Sequence, residues 1–436
     1  MEQGRVTAPG TAAVPGLTAQ LNGSLIAGIV VGFLLRCAGG AAGVLLGFYL
    51  NRVVSPPKVD PAVVAGLTVA YFASEFLLAP LFGSWSDRIG RKPFLLAGPI
   101  IAGFAVQLHP LTTLLFVIFF GRILEGLATS ATTPGTLGFL SDVTSGSATL
   151  RGRVMGLYEL GTVLGLVVGP GIGGRLWDWA GRDGLRLVSL LDLAAAGLVF
   201  FFIRESRPAV AAAPSGAHTL SLGEQLRAFR GLVRLPRLWR FAPAWIAING
   251  VVGLWLNHVD KLLSRAQPDP VQLLQGGWRG EQVSNAFLAF GLAFMVGIYF
   301  WSTLYGRLRK TNVMLMSVAG TFGVVAVMFA INMQLLPGPW GQWPLVPLLF
   351  VALFIESGFT PVALAYLADV TEGQVQDRGA VMGLYSVFLA VGQVLGAVLG
   401  VPFIDALGFN GLLVTTIILA GIAGAAVLNL RRTTGD

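Results

Sequence analysis

One cysteine, Cys37, stands in 436 residues, so no intramolecular disulfide can brace the chain. The three histidines are far apart and make no metal-ligand cluster, and no metal is expected. Charge is scarce as well: Asp, Glu, Lys and Arg together are 11% of the chain, against roughly 25% in soluble domains. The sequence has no phosphate loop, no nucleophile elbow and no nucleotide-binding domain, so neither soluble-enzyme chemistry nor an ATP-driven pump is expected. The first 20 residues carry one base, Arg5, and no apolar core, which reads as a tail and not a signal peptide.

What is abundant is apolar. Hydrophobic residues are 55% of the chain, in recurring runs of about 20, each long enough to cross a bilayer as a helix. The 58 glycines suit helices that pack closely in lipid. These features define an all-α polytopic membrane protein, with spans expected near 22–50, 61–85, 93–110, 111–140, 154–176 and 186–204, then 237–260, 282–304, 311–335, 341–368, 379–402 and 409–430. With both termini placed in the cytoplasm, 19 of the 29 Lys and Arg fall on inner segments and 8 on outer ones, which is the bias of a multi-pass protein of the plasma (inner) membrane. The net charge of +8 is explained by that bias, and no nucleic-acid partner is expected. The outer segment 261–282, with Trp278, is read either as an amphipathic surface helix or as a plain loop.

The chain is also doubled. Residues 142–174 and 369–401, at a constant offset of 227, are identical at 15 of 33 positions, among them Asp142/Asp369, Arg151/Arg378, Tyr158/Tyr385 and glycines 165, 169 and 173. Twelve spans thus form two pseudo-symmetric six-helix bundles, 22–204 and 237–430. A cytoplasmic tail at 1–21, a basic cytoplasmic hinge at 205–236 and a cytoplasmic tail at 431–436 complete the chain.

Between spans 2 and 3, Gly83-Ser-Trp-Ser-Asp87-Arg88-Ile-Gly90-Arg91-Lys92 packs one acid and three bases into a short turn. Glycine at 83 and 90 permits close approach and positive φ, and Asp87 can accept from an arginine or a helix N-terminus. This segment resembles motif A of the major facilitator superfamily, G-x-x-x-D-R-x-G-R-[KR], and the twelve spans and basic hinge extend the resemblance over the chain. The resemblance implies a latch of Gly83, Asp87, Arg88, Gly90 and Arg91, with Asp87 holding the start of span 11 near 379–382. The loop at 305–310 keeps glycine and bases but no acid, so the latch is expected to be asymmetric.

Arg122 lies about 11 residues from the outer end of span 4, and a mid-membrane arginine is a functional hypothesis by default. Glu125, at i+3, is within pairing distance. Arg122-Ile-Leu-Glu125-Gly126 resembles motif B, which the family associates with proton transfer; the pair either serves that purpose or only holds the bundle together. Arg36 in span 1 and Glu75 in span 2 sit at similar depth, so Glu75, Arg122, Glu125 and Arg36 form the expected proton-coupling set. Drug antiporters of the family often have an acid in span 1 or span 4; this chain has none in span 1 and an arginine instead, so the resemblance points to Glu75 or Glu125 as the proton acceptor. Gly161, Gly165, Gly169, Pro170, Gly173 and Gly174 in span 5 give a smooth helix face with a bend, and resemble motif C, the antiporter signature.

In the second half, Glu356 is the one deeply placed acid; His258 and Asp260 end span 7 at its expected outer mouth. Glu356, Asn249, Trp255, Asn285 and Gln393 are the expected cavity residues. Together these residues lead to a proton-coupled secondary transporter exporting amphipathic or hydrophobic small molecules by alternating access. It needs no cofactor beyond a proton gradient and works as a monomer in the lipid bilayer. A lipid or lipid-linked exporter of the same superfamily, and a non-transporting membrane sensor or scaffold, are the alternatives.

Overall fold

A computed structural model describes residues 23–54, 59–144, 148–206, 236–304, 308–336, 341–370 and 378–434. All elements in them are helical. In chain order they are α1 (Gly23–Tyr49), α2 (Pro61–Ile89), α3 (Arg91–Leu108), α4 (Leu115–Val143), α5 (Ala148–Ala180), α6 (Asp183–Phe202), α7 (Pro236–Leu263), α8 (Gly280–Leu304), α9 (Lys310–Asn332), α10 (Leu345–Glu356), α11 (Phe359–Val370), α12 (Arg378–Leu399), α13 (Val401–Leu407) and α14 (Phe409–Thr434). Consecutive crossings alternate in direction. The α2–α3 turn marks what is called below the basic end, and the α1–α2, α3–α4, α5–α6 and α7–α8 connections mark the far end.

Among the described residues, 11 helical segments are long and apolar enough to cross a membrane. The expected seventh span is missing from that set although α7 runs 28 residues. The reason lies in its composition: Pro243, Asn249, Asn257 and His258 dilute the apolar run. Polar groups on a buried helix lower its hydropathy without shortening it.

The expected tenth span, by contrast, is two helices. α10 stops at Glu356, Ser357 and Gly358 interrupt it, and α11 resumes at Phe359. The carbonyl of Phe354, loosened at the break, accepts from Ser357 Oγ at 2.8 Å and from Trp301 Nε1 at 2.8 Å. Broken helices are tolerated at membrane depth where protein groups satisfy the freed backbone, and they line cavities. The break sets Glu356 at a helix end within the membrane.

The glycines of the repeat explain why the chain is doubled. Gly161, Gly165, Gly169 and Gly173 face α1; a Cβ at Gly165 would meet Phe33 and Arg36, and one at Gly169 would meet the Cys37 carbonyl. The matching residues Gly392 and Gly396 of α12 face Asn249 and Gly250 of α7 in the same manner. Each copy is therefore a helix-crossing face on which a neighbour lies backbone to backbone. The opposite side of α5 is as tight: Gly171 meets Leu288, and Gly174 meets the Gly280 carbonyl of α8.

The far-end segment between α7 and α8 contains no helix from 264 to 279, so the plain-loop reading is the correct one and the surface-helix reading is not. Main-chain bonds fold it back on α7: Gly276 N–H donates to Leu262, Gly277 N–H to Arg265 and Trp278 N–H to Leu263. Gly276 and Gly277 both have positive φ, 86° and 78°, which a helix would not allow.

Candidate functional site

At the basic end, the α2–α3 turn is held from an unforeseen direction. Gly90 takes φ 122°, and its neighbours Arg91 and Lys92 present the free N–H groups of the α3 N-terminus. Both donate to the carboxylate of Glu205, at 2.9 and 3.0 Å, which is where an anion best meets the helix dipole. Glu205 is not among the residues that the sequence singles out. The Arg91 guanidinium instead turns inward to Ser86 Oγ at 2.8 Å and Asp142 Oδ2 at 3.2 Å, packed over Gly138. Gly83 faces Pro134 of α4. The side chains of Asp87, Arg88 and 379–382 lie outside the described ones, so the expected latch partners do too, as does the side chain of Glu159. Glu205→Ala is expected to lower stability by about 1 kcal/mol through loss of the cap; thermal melting with no shift would refute the capping role.

Deeper in the first six helices, α4 carries Arg122 and Glu125 to the wall of a cavity of about 1000 Å³. Gly126 makes this possible: a Cβ there would strike Ser74 and the Tyr71 carbonyl, so α2 can lie against α4 only at a glycine. That approach puts the Tyr71 ring 4.7 Å from the Arg122 guanidinium, a cation–π contact, and Tyr71 Oη 2.9 Å from Thr129 Oγ1. Arg122 Nη1 pairs with Glu125 Oε2. The other oxygen, Oε1, meets His109 Nε2 at 2.7 Å. His109 is fully buried in the 3-10 turn after α3, its ring against Gly121. The sequence reading missed it, since Pro110 after it signalled only the end of a span.

Arg36 lines the same cavity, whereas Glu75 is half-buried outside its wall and within electrostatic reach of Arg36. A further acid, Asp192 of α6, joins Arg122 and Glu125 in the wall with only 2% of its surface exposed. It too was missed, although an acid inside a span is itself the signal.

The opposite wall comes from the later helices. Trp255, Asn285, Phe290, Thr321 and Glu356 line it, with Glu356 Oε1 3.3 Å from Thr321 Oγ1. Asn249 and Gln393 are not in this wall. Asn249 Nδ2 donates to the Trp245 carbonyl at 2.9 Å and its Cβ packs at Gly392, while the Gln393 backbone abuts Gly253, so both residues build the α7–α12 crossing. His258 and Asp260 are buried and not at an open mouth, His258 Nε2 2.9 Å from the Ala397 carbonyl and Asp260 2.8 Å from Lys261 Nζ, against Gly47; Asp260 and Lys261 do line the cavity.

The polar contacts described between the two sets of helices gather at and toward the far end. Asn51 Nδ2 donates to the Lys261 carbonyl at 2.8 Å and Ser264 Oγ at 2.9 Å. Asp178 accepts from Gly280 N–H at 3.0 Å and Glu281 N–H at 2.6 Å, capping α8 from the end of α5. Arg175 reaches Asn285 Oδ1, and Thr68 Oγ1 donates to Asn257 Oδ1 at 2.7 Å. Above the cavity, the two sets are thus joined.

Relatives give this architecture a place. The family model described as Major Facilitator Superfamily matches residues 14–264 and 270–435. Multidrug resistance protein 2 of Bacillus subtilis (strain 168) is 28% identical over 166 residues, 37% of this chain and 41% of that protein. The class D tetracycline resistance protein of Salmonella ordonez is 30% identical over 161 residues, 35% of this chain and 40% of that protein. These matches therefore cover less than half of either relative's length. The uncharacterized MFS-type transporter YwfA of Bacillus subtilis (strain 168) is 26% identical over 392 residues, 88% of this chain and 87% of that protein. In fold, the nucleoside transporter NupG superposes with TM-score 0.72 at 15% identity, covering 95% of this chain and 100% of the other. A family match across nearly the whole length, on an all-helical frame shared with these solved structures, fixes the family of this multi-pass membrane protein: the chain belongs to the major facilitator superfamily.

Proposed function

We propose that the chain exports amphipathic or hydrophobic small molecules in exchange for protons, by alternating access, in the plasma membrane. One observation carries the reading: an apolar cavity between two sets of helices bears the Arg122–Glu125 pair on one wall, with His109 bonded to Glu125, and the carboxylate of Glu356 on the other, where Asp260 is paired with Lys261. The apolar lining suits a large apolar body, and buried charge that can be paired or unpaired suits a group whose state changes as access alternates. The multidrug and tetracycline resistance relatives support cargo of this class.

In this reading the basic end is cytoplasmic, as are both termini, and the far end is external and shut. The units are the halves 22–204 and 237–430, joined by the hinge 205–236, which falls largely outside the described residues. Asp87 remains the proposed latch to the start of α12. Reconstitution in liposomes tests the whole: an imposed pH gradient should accumulate ethidium or tetracycline against its own gradient. Accumulation that ignores the pH gradient sinks the coupling, and transport of neither probe sinks the assigned cargo.

A further inference from the structure

Glu125 is held at both oxygens, by His109 at Oε1 and by Arg122 at Oε2. With both oxygens engaged the carboxylate is held in place, so Glu125 makes a poor carrier of a mobile proton. Asp192 is the opposite case. It lies in the same cavity wall and in the electrostatic reach of Glu125, on α6 where Gly103 of α3 lets its Cβ come close. Its Oδ2 is fully buried without a hydrogen-bond partner, and among the described residues it has no ion-pair partner.

Glu125 of α4 is the charged group within electrostatic reach of Asp192; Arg122 of α4 and Arg36 of α1 line the same cavity, and His109, from the turn after α3, bonds to Glu125. On α6 itself Arg186 is engaged with Asp183 at 2.9 Å. His109 and Arg122 are both committed to Glu125. An isolated ionised carboxylate is far costlier to bury than a neutral acid. The cost falls when water enters the cavity, so the charge on Asp192 depends on which state the cavity is in.

We propose that Asp192 is the carboxyl that takes up and releases the coupled proton, while His109 and Arg122 fix Glu125 beside it as a permanent anion. The proposal rests on the proton-coupled reading above. The step is a simple protonation: a hydronium ion on the open side gives its proton to the Asp192 carboxylate, forming an O–H bond and leaving water. When the cavity opens to the other side, that bond breaks and the proton passes to water there as hydronium. Glu125, which does not change charge, sets the local field in which that exchange occurs.

Infrared difference spectra of the purified full chain in lipid, titrated with pH, test this without any cargo. The protonated-carboxyl C=O band of the unmodified protein should vanish in Asp192→Asn, reappear displaced in Asp192→Glu, and survive in Glu125→Gln. A band that persists in Asp192→Asn overturns the assignment, as does one that vanishes only in Glu125→Gln. Thermal melting of each variant shows that the fold is intact. In liposomes, Asp192→Asn should lose ethidium accumulation driven by a pH gradient; retained pH-driven accumulation overturns the proposal. If the band behaves as stated but the unmodified protein moves no ethidium on a pH gradient, Asp192 stands as a proton site and the coupled-transport reading fails.

Discussion

Valine at Gly169 is expected to unfold the first half, and valine at Gly174 is expected to open the far end, although the two lie five residues apart on α5. A Cβ at Gly169 would fall on the Cys37 carbonyl and its neighbours in α1, a contact made of backbone that cannot rotate aside. A Cβ at Gly174 would fall on the Gly280 carbonyl of α8, across the seam between the two sets of helices. Overpacking of this kind costs about 1–3 kcal/mol or more. Inside the first set there is no alternative packing, so Gly169→Val should show a lower melting temperature and poor recovery of folded protein. At the seam the cost is relieved by separation, and about 1–3 kcal/mol moves a two-state population by roughly 5–150-fold. Spin labels at Arg182→Cys and Val271→Cys, in a Cys37→Ala background, should report a longer far-end distance in Gly174→Val at unchanged melting temperature. Equal melting losses in both variants with unchanged label distances would show that the seam is not a moving part.

The spans were legible because lipid demands continuous apolar helices, and α1 to α6 fall where the runs of the sequence place them. The glycine series was legible for a related reason: small residues every fourth position leave a helix face with nothing else to do but pack. The break after Glu356 was not legible. Ser357-Gly358 is an ordinary pair in a membrane helix, and what stabilises the break is Trp301 on another helix. The site divides the same way. Arg122 and Glu125 were visible as a pair because both sit on one helix three residues apart, whereas His109 and Asp192 come to Glu125 from other helices, and only the folded chain brings them there. Glu205 is the clearest case: it stands 114 positions from Arg91 yet caps the helix that Arg91 begins.

Glutamine at Arg122 is expected to destabilise the protein and abolish pH-driven accumulation, and removing Glu125 in the same chain is expected to restore only the first. Arg122 is the counterion on one oxygen of a buried carboxylate and the cation under the Tyr71 ring. Removing one partner of a buried pair typically costs about 3–5 kcal/mol, because the remaining charge is left uncompensated, whereas removing both can be nearly neutral. Arg122→Gln should therefore melt well below the unmodified protein, and Arg122→Gln with Glu125→Gln should recover most of the loss, since His109 can still bond to the amide that replaces the carboxylate. Coupling depends on the fixed anion beside Asp192, which the double variant lacks, so ethidium accumulation on a pH gradient should stay absent while exchange at equal pH returns. A double variant no more stable than Arg122→Gln would mean that the charge of Glu125 is not what the arginine offsets. Full accumulation in the double variant would remove Glu125 from the coupling site altogether.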